Sequence, residues 1–277
     1  MMKEVDMDQK IKQDFDLLIK TSMEIGNKLA GQKIPEGINY IHYAEGLGQK
    51  TINHILTARY LMDGYHLGLG NNLYEGKIDF SSIAILTRAA LETYLTFNHI
   101  FIAPENEDEK RFRYTLWDIG GYLDRQDFEP TNDEFIALKE SERLAIERLR
   151  KELKEKNIFK ELSPKNQKQA LNGQWKLDKY WGDLAVGACF KKEFFRQQYK
   201  FLCGYAHSSR LSIIQIQQNK TIEGQREMAK ASMGVLMVVL AKYIYDYIHL
   251  LPQLEEVKNN IEKYPIIKVW KAIGEEI

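Results

Sequence analysis

Cysteine is nearly absent from this chain: Cys189 and Cys203 are the only two in 277 residues. Two thiols make neither a disulfide framework nor a zinc ribbon, so a reducing, intracellular and cytoplasmic setting is expected. Proline is scarce too, at positions 35, 104, 130, 164, 252 and 265 only. Between these breaks the apolar residues recur at helical rather than alternating spacing, and no convincing strand is expected. Net charge is missing, with 39 Lys and Arg against 39 Asp and Glu. That balance excludes a protein holding nucleic acid or anionic membrane by bulk charge and leaves only local basic patches. No hydrophobic run is long enough for a bilayer: the uncharged stretch 231–241 ends before Lys242 and Asp246, short of roughly 20 residues, so a core helix and no membrane partner are expected. Residues 1–12 mix acids and bases without an apolar segment, and no secretory leader is expected. No P-loop, dinucleotide fingerprint, zinc-protease motif or hydrolase elbow is present, which removes those reaction classes.

What remains is an ordinary globular composition, 44% hydrophobic and 28% charged, in a chain long enough to bury a core unaided. The expected fold class is all-α, a multi-helix bundle with a charged helical hairpin or insertion. The expected domain is single, 1–277, with the insertion at 131–190. Helices are expected at 7–30, 44–69, 79–103, 107–126, 132–157, 191–208, 222–250, 253–263 and 266–276, with a broken helical region at 163–189. Asp79 or Ser81 is expected to cap the third helix and Thr131 or Asn132 the fifth, while Ser163 precedes Pro164 in a first-turn position. Segments 31–37 and 68–76 read as loops. In the charged region 139–161, Leu144, Leu149 and Leu153 offer a narrow apolar stripe, as on a solvated helix docked along one edge.

The helix 78–103 is nearly all apolar, and after Asp79 its only charged side chains before Pro104 are Arg88 and Glu92. At about 100° per residue these two share a narrow arc with His99, opposite Ile83, Leu86, Ala90, Tyr94, Phe97 and Phe101. Unpaired charges in a central helix cost several kcal/mol, so Arg88 and Glu92 must satisfy one another or face a polar cavity. Two readings stand: an ion pair that sets helix register, or a ligand site in which Arg88 grips phosphate or carboxylate and Glu92 orients it. His99 lies about 16 Å further along the axis and is expected to be a satisfied core histidine.

A second polar arc lies in 194–210, FFRQQYKFLCGYAHSSR. Arg196, Lys200, Cys203 and His207 share one face, Tyr199 lies at its margin, and Arg210 follows if the helix continues. Histidine has an unperturbed pKa of about 6.5, suited to acid and base work near neutrality. The alternative is a histidine satisfied in the core amid exposed basic groups.

The R-x3-E helix, Arg88 and Glu92 in TRAALETYL, followed by Tyr199 and His207 in YKFLCGYAHSS, resembles a family of bacterial all-helical proteins similar to the HEPN superfamily of defence and toxin loci. The similarity covers about 78–103 and 191–250. It implies metal-independent RNA cleavage by an arginine and a histidine on one helix, usually in a homodimer, with RNA or a nucleotide phosphate as partner and no cofactor. At the arginine position this sequence carries Lys200, and Arg196 lies further upstream; lysine supplies charge but not the bidentate fork. On this reading His207, Lys200 and Arg196 are the catalytic candidates, and Arg88, Glu92, Tyr199 and Arg210 are the ligand-binding ones. The rival is a non-catalytic interaction or regulatory module with a structural Arg88–Glu92 pair.

Two further constellations are present in the sequence. Asp63 with His66 and Asp246 with His249 form D-x2-H pairs to which Glu92 could add a bridging carboxylate, but they depart from the E-x2-H pattern of di-metal bundles, and no metal is expected. Trp175, Tyr180 and Trp181 cluster near Lys176 and Lys179, a mix that serves packing or base stacking.

Overall fold

The structure, a computed structural model, describes residues 2–33, 39–69 and 72–276. Among these residues it is all-α apart from one antiparallel strand pair. The helices are α1 (Met2–Leu29), α2 (His42–Leu61), α3 (Phe80–Phe97), α4 (Glu107–Gln126), α5 (Asp133–Glu155), α6 (Asn157–Lys160), α7 (Pro164–Leu171), α8 (Trp181–Gly187), α9 (Lys192–Ala206), α10 (Arg210–Gln218), α11 (Ile222–Leu250), α12 (Glu255–Asn259) and α13 (Pro265–Glu276). A π-helical turn, Asn98–Ile102, follows α3. The chain divides into two compact units, Met1–Asn98 with Ala185–Ile277, and His99–Leu184.

The helix expected to run to residue 69 stops at Leu61, and the expected absence of strands is corrected by an antiparallel pair, β1 (Tyr65–Leu69) and β2 (Asn72–Lys77). Gly64, at φ +83°, supplies the left-handed conformation that ends α2. The pairing sets Leu67 opposite Tyr74 and Leu69 opposite Asn72. Thus most of the expected loop 68–76 is hairpin; its residues 70–71, like 34–37 of the expected loop 31–37, lie outside the described residues.

Caps follow side-chain chemistry. Asp79, not Ser81, accepts from the Ser82 amide (3.0 Å) at the start of α3. Asn132, not Thr131, caps α5 through the Phe135 amide (2.8 Å). Asn106 accepts from the Glu109 amide while the Glu109 carboxylate accepts from the Glu105 amide, a reciprocal arrangement that starts α4. Ser163 caps α7 with Pro164 at its first position.

In the first unit α3 packs against α2, α9 and α11, and α11 against α1, α2 and α13. Every residue from 235 to 244 of α11 is buried. By length and composition α11 is apolar enough to cross a membrane, yet two-thirds of its most apolar stretch is buried within the protein. The α2–α11 approach depends on Gly48: a Cβ there would lie 1.8 Å from the Tyr243 hydroxyl, whose ring is fixed against Phe97 and Tyr247. Lys242, 2% exposed, reaches Glu275 of α13 at 3.1 Å and lies over the Phe190 ring.

The second unit has its own core, Phe112, Leu116 and Ile119 of α4 against Leu153, Phe159 and Ala170. The buried stripe of α5 runs through Glu142, Ile146 and Leu153, with Leu149 partly buried; Leu144 is exposed, so the expected stripe is displaced around the helix. Arg125 donates to the buried Glu142 carboxylate at 2.5 Å, which is how an acid is tolerated on that face.

Candidate functional site

Helix α3 buries Ile83, Ala84, Thr87, Ala90, Leu91 and Tyr94, leaving one partly exposed stripe that carries Arg88 and Glu92. Helix α9 buries Phe195, Leu202 and Tyr205, and Tyr205 meets Phe80 of α3 edge-on at 5.8 Å. This packing sets the polar margin of α9 beside the Arg88 stripe.

Helix α9 ends in a Schellman motif. The Ser208 amide donates to the Tyr205 carbonyl (3.3 Å), the Ser209 amide to the Gly204 carbonyl (2.8 Å), and Ser208 takes φ +50°. Ser209 then caps α10 by accepting from the Ser212 amide. His207 is thus the last residue before a tight reversal, held by its amide on the Cys203 carbonyl (3.0 Å).

Four sequence candidates converge. The Arg88 guanidinium donates from Nε to Glu92 Oε1 (2.9 Å), from Nη1 to His207 Nε2 (3.0 Å) and from Nη2 to the Tyr199 hydroxyl (3.4 Å). The Tyr199 hydroxyl donates to Glu92 Oε1 at 2.5 Å. Guanidinium has no acceptor, so His207 Nε2 accepts and its ring proton resides on Nδ1. Arg88 and Glu92 are 21% and 24% exposed in their side chains, while His207 is exposed, so the cluster opens to solvent at its histidine end. The Tyr199 ring stacks on Phe195, 5.0 Å between centroids.

Burial first, then the Glu92 hydrogen bond, pushes the Tyr199 phenol well above its ordinary pKa, outweighing Arg88. Tyr199 therefore serves as a hydrogen-bond donor and not as a base. Burial works against the Arg88 charge, but the Tyr199 hydrogen bond and the Glu92 carboxylate raise its pKa overall. The arrangement is a cation fixed at Nε, with its two Nη groups turned toward the His207 imidazole and the Tyr199 phenol.

The other basic candidates lie outside this hydrogen-bonded group. Arg196 is exposed and paired with Glu193 (2.8 Å), Lys200 is exposed on α9, and Arg210 begins α10 beyond the reversal. The arginine that meets His207 comes from α3, a contact between distant segments that helical spacing within 194–210 has no means of revealing. Cys203, half-buried on the same arc, and Cys189 are free thiols.

The D-x2-H residues do not assemble. Asp63 is engaged by Lys12 (2.7 Å) and Arg59 (2.8 Å) at the surface, and the side chain of His66 lies outside the described residues. Asp246 turns inward to accept from Tyr94 (2.9 Å) and Asn98 (3.1 Å), and His249 Nδ1 lies 2.7 Å from the Tyr245 carbonyl. Among the described residues no three His, Cys, Asp or Glu side chains gather as a metal site. His99 belongs to the second unit, buried and held by Arg113.

Neither a curated protein nor a solved structure matches the chain. A family model does match, over residues 71–224, a span that is more than half of the chain and includes α3 and α9, the two helices that build the cluster. The chain therefore belongs to DUF5677, a family of unknown function.

Proposed function

We propose that Arg88, Glu92, Tyr199 and His207 form a phosphate-handling site, and that the protein is an HEPN-like intracellular ribonuclease acting without metal, as in bacterial defence systems and as a homodimer. The observation that carries this reading is the 3.0 Å approach of Arg88 Nη1 to His207 Nε2 at the solvent end of the cluster. An arginine beside an imidazole is the pairing that HEPN catalysis requires, and Arg88 supplies from α3 the fork that Lys200 lacks.

In the proposed reaction the scissile phosphate enters between Arg88 and His207 and takes over the Nη donors, while Glu92 keeps hold of Nε and Tyr199 keeps hold of Glu92. The guanidinium stabilises charge on the non-bridging oxygens. His207 Nε2, released from Arg88, accepts the proton of the ribose 2′-hydroxyl as its oxygen attacks phosphorus. The bond to the 5′-oxygen breaks, that oxygen takes a proton from water, and the products are a 2′,3′-cyclic phosphate and a 5′-hydroxyl. The imidazolium then returns its proton to solvent. Lys200, Arg196 and Arg210 supply positive charge to flanking phosphates, with Arg196 drawn from its Glu193 partner.

A second reading, a non-catalytic interaction module, is favoured by the mutual satisfaction of Arg88, Glu92 and Tyr199, which suits a lock on helix register. Cleavage of a mixed cellular RNA pool in EDTA separates the two. Wild type is expected to cut, leaving cyclic phosphate ends, and His207→Ala to lose at least roughly 100-fold in rate with an unchanged melting temperature. No cleavage by wild type, or full cleavage by His207→Ala, overturns the nuclease reading.

A further inference from the structure

The second unit holds a cavity of about 450 Å3 whose walls include Trp117, Gly121 and Asp124 of α4 and Gln174, Trp175 and Lys176 of the turn after α7. That volume is in the range of small-molecule sites. On α4, Trp117, Gly121 and Asp124 fall at i, i+4 and i+7, one face of the helix, so the glycine cuts a notch between an indole and a carboxylate.

Two adjacent glycines in mid-helix are unfavourable, because only proline is a poorer helix former. Gly120 has a packing reason: a Cβ there would lie 2.7 Å from the Gly173 carbonyl oxygen. Gly121 has none. A Cβ at that position meets nothing within 4 Å, and its backbone is ordinary helix. A bare backbone facing an open cavity, with no neighbour that demands it, is what close approach of a ligand requires.

The opposite wall is built to stay in place. Gly173 (φ +67°) and Leu177 (φ +53°) turn the chain sharply, and Leu177 and Trp175 pack against the core of this unit. Lys176 lies 4.1 Å from the Trp181 ring and 5.7 Å from the Trp175 ring, so its cation is held among the indoles.

We propose that this cavity binds a nucleobase. Indole faces offer stacking, the Asp124 carboxylate accepts from ring or exocyclic N–H groups, and the Gln174 amide and Lys176 meet ring acceptors. A flat ring system fits the notch over Gly121 where a branched aliphatic ligand would leave the polar edge unpaired. The site is built from residues of the second unit alone and does not rest on the reading of the Arg88 cluster.

Titration of the full-length protein with adenosine, guanosine, cytidine and uridine, followed by intrinsic tryptophan fluorescence, tests this. At least one nucleoside is expected to give saturable quenching. Gly121→Leu, whose side chain would enter the notch, is expected to weaken it at least roughly tenfold while raising or preserving the melting temperature. Asp124→Asn is expected to change the rank order among the four bases. Parallel titrations with nucleoside 5′-monophosphates and with short single-stranded oligoribonucleotides distinguish a free nucleotide from a base within RNA as the source. Absence of saturable quenching by all four nucleosides, or equal binding by wild type and a folded Gly121→Leu, overturns the proposal.

Discussion

Arg88 shows how one residue's meaning depends on what reaches it. Its i, i+4 relation to Glu92 was readable from the sequence, because helical geometry alone brings the two side chains together. Its contact with His207, 119 positions away, was not, since spacing within one helix carries no information about which face of another helix it meets. Tyr199 is the hinge of the cluster: its hydroxyl holds Glu92, which in turn holds Arg88. Tyr199→Phe is expected to cost about 1–2 kcal/mol of unfolding free energy in a urea titration, because a partly buried hydrogen bond to a charged group is lost. If the cluster acts on phosphate, the same variant weakens turnover while leaving the His207 dependence in place. A Tyr199→Phe protein as stable as wild type would mean that Glu92 finds a substitute donor.

At the scale of elements, helix starts were more legible than helix ends. Asp79, Asn132 and Ser163 cap where short polar side chains precede apolar periodicity, since an N-cap is a local hydrogen bond. The end of α2 lies eight residues before the expected position: Gly64 turns the chain, and the short β1–β2 pairing has too few residues for alternation to be visible. The end of α9 matters most for the site. Ser208 occupies a left-handed position usually given to glycine, and the reversal it makes separates Arg210 from the face that carries His207. Ser208→Gly is expected to raise stability by about 0.5–1 kcal/mol, because the left-handed strain is relieved at a position already turning. Thermal unfolding checks this; a loss of stability would show that the freer glycine backbone loosens the reversal more than it relaxes it.

At the scale of the whole molecule, each of the two units carries its own buried polar chemistry. In the second, burial first and the Arg113 charge next lower the His99 pKa to about 3. Arg113 donates to its Nδ1 (3.1 Å) and its carbonyl (2.7 Å), so the folded state holds the ring neutral. Unfolding frees a histidine that titrates near 6.5 and therefore binds a proton between pH 6.5 and 3, so His99 contributes stability that is complete above pH 6.5 and falls as the solution is acidified. By pH 5 the loss is on the order of 2 kcal/mol. His99→Gln, which keeps an acceptor for Arg113 without titrating, is expected to flatten that slope in unfolding followed by tryptophan fluorescence, to which Trp117, Trp175 and Trp181 of this unit contribute. Parallel pH profiles for the two proteins would remove His99 as the cause. The sequence by itself determined the helical class, the central place of α3 and α11 and the placing of Arg88 and Glu92 within reach on one arc of α3, because periodicity, capping and i, i+4 spacing are short-range effects. Only the tertiary structure decided that His207 meets Arg88, that Lys200 and Arg196 stand aside, and that Gly121 opens on a cavity between tryptophans. Each of these depends on which helix faces pack together, which is set by burial summed over distant segments rather than by any local pattern.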